Sequence, residues 1–160
     1  MDNTAVINAS PLIFLSRSSH LNILKNFANN IIVSEPVSIE INAKGPEDIT
    51  AQKLKETSWL NIYPAEKIPD FILEWGLGAG ESAVLASAYN HGIEAIIDDL
   101  AGRKCARSIN IPVRGTLGLV LIAKRRGLIP QARPVLEDLI QSGLYLSNSI
   151  IKEALKRVNE

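Results

Sequence analysis

Two adjacent carboxylates, Asp98 and Asp99, close the short apolar run Ala95-Ile96-Ile97, and an amide and a hydroxyl, Asn8 and Ser10, follow the run Thr4-Ala5-Val6-Ile7. Two further acids, Glu40 and Glu81, stand on stretches that read as helices following strands or loops. Converging carboxylate and amide oxygens suit a hard divalent cation, Mg²⁺ or Mn²⁺, which takes such ligands and water in octahedral geometry. Two like charges directly after an apolar strand repel unless a cation or cationic side chain holds them, so Asp98-Asp99 is the strongest local signal. Each residue also has an ordinary structural reading. Asn8 suits a turn or a helix cap, Glu81 in a first helical turn complements the macrodipole, Asp99 suits the cap of the next helix, and Glu40 suits a solvated face.

The elements that must position these residues alternate between short strands and helices. Strands are predicted over 4–7, 31–33, 60–63, 95–97 and 112–114, each a brief apolar or β-branched run bounded by turn or capping residues. Helices are predicted after Ser10-Pro11, over 21–27, 35–41, 48–57, 80–89, 101–109, 116–126 with Thr116 as cap, 134–141 and 148–158. Phe71-Ile72-Leu73-Glu74-Trp75 also reads as helix. Such alternation implies an α/β fold with a parallel sheet covered on both faces, whose ligand site lies outside the carboxyl ends of the strands. At 160 residues without a linker or repeat, the chain reads as one domain, 1–160.

Composition narrows the class. Apolar residues are 46% and charged residues 21%, which excludes a disordered chain. The single cysteine, Cys105, excludes an internal disulfide framework and a multi-Cys zinc site and suits a reducing, cytoplasmic setting. Met1-Asp2-Asn3 is not a basic leader and no apolar run approaches a membrane span, so neither export nor membrane insertion is expected. The formal net charge of zero excludes a uniformly basic coat for nucleic acid, yet it conceals a division. Residues 35–99 hold 12 acids and 4 bases, whereas 100–136 hold 8 bases and no acid. Arg103, Lys104, Arg107, Arg114 and 124–126 therefore read either as solvated helix faces or as a surface guiding a phosphate backbone.

A rival motif, Gly76-Leu77-Gly78-Ala79-Gly80-Glu81 with Asp98 downstream, imitates a dinucleotide-binding fingerprint. It fails at the third glycine, where Glu81 places a carboxylate against an approaching pyrophosphate. No phosphate-binding Gly-Lys-Ser/Thr loop occurs, and His20 and His91 lie in polar stretches that suggest no nucleophilic pair.

In order along the chain, Val6-Ile7-Asn8-Ala9-Ser10-Pro11-Leu12-Ile13, Glu40 within Pro36-Val37-Ser38-Ile39-Glu40-Ile41, Gly78-Ala79-Gly80-Glu81-Ser82-Ala83 and Ile96-Ile97-Asp98-Asp99 resemble the four acidic motifs of the PIN-domain superfamily. Gly102-Arg103, Gly115-Thr116-Leu117-Gly118 and Arg126-Gly127-Leu128-Ile129-Pro130 resemble a PIN-like branch related to VapC toxins of toxin-antitoxin pairs. The resemblance implies a three-layer α/β/α sandwich with a central parallel sheet of four to five strands, and a Mg²⁺- or Mn²⁺-dependent ribonuclease. It implies catalytic roles for Asn8, Glu40, Glu81, Asp98 and Asp99, with Asn8, Glu81, Asp98 and Asp99 as metal ligands. RNA would contact Ser10, Arg103, Lys104, Arg107, Arg114 and Thr116. It also implies a small antitoxin as partner, with a homodimer as an open further outcome. Asn8 departs from the pattern, for the family carries an acid there, and losing one charge should weaken the hold on a hard cation. Two outcomes stay open at this point: an active nuclease that needs more metal, or an RNA- or antitoxin-binding protein whose catalysis has faded.

Overall fold

A computed structural model describes residues 3–160; the reading of Met1-Asp2 as lacking a leader lies outside the described residues. Five parallel strands form one sheet: β1 (Thr4–Ile7), β2 (Asn30–Ser34), β3 (Leu60–Tyr63), β4 (Glu94–Ile96) and β5 (Val113–Arg114). Between them run α1 (Ala9–Arg17), α2 (Asn22–Phe27), α3 (Glu35–Asn42), α4 (Ile49–Glu56), α5 (Asp70–Leu73), α6 (Ala79–His91) and α7 (Leu100–Ser108), and after β5 come α8 (Thr116–Arg125), α9 (Ala132–Gln141) and α10 (Asn148–Arg157). The alternating pattern led to an α/β fold with a covered parallel sheet, and the architecture is the three-layer α/β/α sandwich that the resemblance implied.

Strand order is β3-β2-β1-β4-β5. The chain builds outward from β1 through β2 and β3, then returns to place β4 on the other side of β1. In its register, Val6 pairs with Ile32 on one side and Ala95 on the other. Ala5, Val6 and Ile7 are fully buried, as a central parallel strand covered on both faces requires. Full burial of one such aliphatic side chain stabilises the fold by roughly 1.5–3 kcal/mol. The reversal of direction between β1 and β4 opens the crevice in which open α/β sheets bind ligands.

Helix α6 packs against α3, β1, β2 and β4. Its Ala- and Ser-rich turns are buried from Ser82 to Ala88, and it stops at Gly92, whose left-handed φ of 63° ends the helix with no Cβ penalty. Asp48 caps α4 through Ala51 N–H, and Asp99 caps α7 through Gly102 N–H. Two expected caps are displaced. Helix α1 starts one residue after Asn8, not at Ser10, because the first helical N–H groups have no intrahelical partner and Pro11 is tolerated in that turn. Gly115 precedes α8, so Thr116 is its first residue and not its cap. Among the described residues no helix is long and apolar enough to cross a membrane.

Candidate active site

The carboxyl ends of β1 and β4 meet at the direction reversal. Asn8 N–H donates to Ile96 O at 3.0 Å, tying the residue after β1 to β4. Asn8 has an extended backbone, is 5% exposed, and makes no capping bond with its side chain. Its ordinary reading as a cap therefore holds for the backbone but does not account for the amide. A Cβ built on Gly80 would lie 3.7 Å from Asn8 Oδ1 and 4.0 Å from Glu40 Oε2, so the first turn of α6 forms a floor shared by the amide and the α3 acid.

Glu81, next on α6, reaches toward α7. A Cβ on Gly102 would lie 3.5 Å from Glu81 Oε2, and Gly102 N–H is the donor that Asp99 accepts at 3.1 Å. Burial pushes the Glu81 carboxyl above the usual range, and the charges of Asp99 and then Glu40 push it further in the same direction. An acid in a first helical turn is ordinarily favoured by the macrodipole. Here desolvation and two neighbouring carboxylates outweigh it.

Asp98 is arranged differently. Its Oδ1 accepts from Thr116 N–H and its Oδ2 from Thr116 Oγ1–H, both at 2.7 Å. The repulsion expected of adjacent acids is relieved in part by two helix starts: Asp98 turns to α8 and Asp99 to α7. Asp98 thus clamps β4 to α8, whereas Asp99 faces Glu81. Thr116 is fully buried with both polar groups engaged by Asp98, which corrects its expected contact with RNA.

The basic segment also divides. Arg103, with Ser10, Asp98 and Asp99, lines a cleft of about 540 Å³ whose remaining wall includes Phe14, Leu117 and Tyr145. Lys104 and Arg107 are exposed elsewhere on α7. Arg114 is engaged: its Nε lies 2.9 Å from Glu94 Oε1 and its guanidinium 5.4 Å from the Phe27 ring centre, with the side chain still 35% exposed. Lys124 donates to Pro130 O at 2.6 Å and pairs with Glu160 at 3.6 Å. His20 and His91 pair with Asp138 and Glu66 through exposed hydrogen bonds, and Cys105 is fully buried. Tyr145 belongs to none of the sequence motifs. The only local sign was the alternation Leu144-Tyr145-Leu146, which places Tyr145 opposite two apolar neighbours.

Among the described residues, no three His, Cys, Asp or Glu side chains are drawn together into a formed metal cage. The donor chemistry nevertheless fits a hard divalent cation. Asn8, Glu40, Glu81 and Asp99 offer only oxygen, and Glu81 feels uncompensated negative charge from two sides.

The family model described as DUF3368: PIN domain matches residues 4–160. Among solved structures, the fold is similar to the crystal structure of VapBC2 from Rickettsia felis bound to a DNA fragment from their promoter, with a TM-score of 0.53 and 14% identity, covering 70% of this chain and 98% of that one. At that identity the likeness is one of fold. No curated protein matches the sequence.

Proposed function

Because the chain belongs to the PIN-domain family, whose members are generally nucleases, we propose that it is a metal-dependent endoribonuclease acting as the toxin of a toxin-antitoxin pair. The observation that carries this reading is the meeting of Asn8, Glu40, Glu81 and Asp99 beside the direction reversal of the sheet. Asn8, Glu81 and Asp99 would hold Mg²⁺ or Mn²⁺, with Asp98 positioning that edge through Thr116. A bound ion there supplies a more acidic water and offsets charge on the phosphate. Glu40 would accept the proton that the water loses as it attacks phosphorus. The P–O bond to the 3′ oxygen breaks, that oxygen takes up a proton, and the other product keeps a 5′-phosphate. Arg103, which lines the adjoining cleft, would face the strand.

Asn8 favours a second reading, an RNA- or antitoxin-binding protein with weakened catalysis, since the site carries one charge fewer than an acid there would give. In either reading a small antitoxin would be the partner and the cytoplasm the setting; a homodimer fits both. Cleavage of single-stranded RNA with added Mn²⁺ tests the nuclease. Loss of cleavage in the Glu81→Gln, Asp99→Asn double variant supports it, and unchanged cleavage in that variant removes it. A Mn²⁺-dependent rise in Tm without cleavage favours the second reading.

A further inference from the structure

We propose that the loop between α9 and α10 forms a nucleobase subsite, with the Tyr145 ring as the stacking platform for a base next to the scissile phosphate; this rests on the ribonuclease reading above. Tyr145 is 86% exposed, the most open of the large apolar side chains among the described residues, and it lines the same cleft as Asp98, Asp99 and Arg103. A single exposed apolar residue is ordinary on any surface. Its place beside the acids and a guanidinium, in a cleft within the roughly 300–1,000 Å³ that holds small ligands, is not.

The ring is presented by a braced backbone. Gly143 N–H donates to Ile140 O at 3.1 Å and Leu144 N–H to Leu139 O at 3.0 Å, so the loop stays bonded to the end of α9. Gly143 has a φ of 115° and lies against the Phe14 ring, where an added Cβ would sit 3.4 Å from Phe14 Cε1. Leu144 is buried and Leu146 packs against the core, so both hold the loop inward while the residue between them points outward. Beyond it, Ser147 caps α10 through Ile150 N–H.

The cleft thus combines a cation for phosphate, the Asp99 carboxylate beside it and an open aromatic face, the set an unpaired nucleotide needs. A single strand meets this demand because its bases are free to stack on aromatic side chains, whereas the bases of a duplex are already stacked on one another. Stacking on a ring tolerates any base, so the subsite gives register on the strand without sequence readout.

The test is binding of a short, end-labelled single-stranded RNA to the full chain without divalent metal, followed by anisotropy, beside the same RNA with abasic sites. Tyr145→Ala is expected to bind the intact RNA about tenfold more weakly, which is about 1.4 kcal/mol. Tyr145→Phe should bind like the wild type, and the wild type should lose a similar factor on abasic RNA. Equal binding by Tyr145→Ala and wild type overturns the subsite, as does an equal loss on intact and abasic RNA, which marks a contact with the backbone or a protein-docking role for the loop. Cleavage is scored separately with Mn²⁺. A wild type that cleaves while Tyr145→Ala binds normally removes the subsite alone, and a wild type that never cleaves yet binds in a ring-dependent way removes the nuclease reading alone.

Discussion

Replacing Thr116 with Val tests whether the Asp98 clamp joins β4 to α8. Valine keeps the shape of the side chain and leaves the Thr116 N–H bond to Asp98 Oδ1, but removes the hydroxyl that donates to Oδ2 at 2.7 Å. A hydrogen bond to a charged group contributes about 1.5–3 kcal/mol. Thr116 is fully buried, but the acceptor left behind, Asp98, is half-buried and lines the cleft, so solvent replaces part of the lost donor and the loss falls in the lower part of that range. The expected loss is therefore about 2 kcal/mol, and in a chain of 160 residues each kcal/mol moves Tm by about 2–4 °C, giving a fall of about 4–8 °C. Thr116→Ser keeps the hydroxyl and gives up one methyl group, so it should lose about 1 kcal/mol. Thermal and urea unfolding followed by circular dichroism measure both. Val as stable as wild type, or Ser as damaging as Val, refutes the clamp.

Asn8→Asp should lower the metal-free Tm, because it adds a charge near Glu40, Glu81 and Asp99, and enlarge the stabilisation by Mn²⁺ by about 1.4 kcal/mol for each tenfold gain in affinity; thermal scans with and without Mn²⁺ check both signs. Arg103→Ala should weaken RNA binding and reduce the slope of log affinity against log salt by about 0.7–0.9, as for one lost phosphate contact, whereas Arg114→Ala should leave the slope alone and lower Tm by freeing Glu94. Titrating RNA at several salt concentrations distinguishes the two. The Glu160 carboxylate is held below the usual range, first by Ala132 N–H and then, against some desolvation, by Arg133 N–H and Lys124. Its contribution to stability is complete above the ordinary carboxylate value and fades as pH falls through the lowered one, so Glu160→Gln should flatten the acid side of the stability profile. Unfolding midpoints measured across acid pH report that slope.

The strands at 4–7 and 60–63 were legible because each is a brief run whose ends are marked by turn and capping residues, and the alternation with helices implied a parallel sheet. Asp99 as a cap was legible for the same reason, since its partner Gly102 is three residues away. Thr116 misled because Thr in front of an apolar helix is locally a good cap. Its actual acceptor, Asp98, is 18 residues back and lies on another element. The partners of the basic run are hidden for the same reason. A count of charges along the chain does not reveal that Arg114 faces Glu94 and Phe27, or that Lys124 faces Glu160.

By itself, the sequence determined the succession of strands and helices and the oxygen-bearing residues at their ends, since burial periodicity and capping act within a few residues. Tertiary structure alone decided that β4 returns to the open side of β1, and with it which of those residues meet. That return brings Asn8, Glu40, Glu81 and Asp99 into one field and assigns Asp98 to a clamp, while the loop between α9 and α10 sets Tyr145 in the cleft that Asp98 and Asp99 line. The physical reason is range: hydrogen bonds, charge repulsion and desolvation depend on separation in space, and the partners that set each side chain's role lie on elements far apart in the chain.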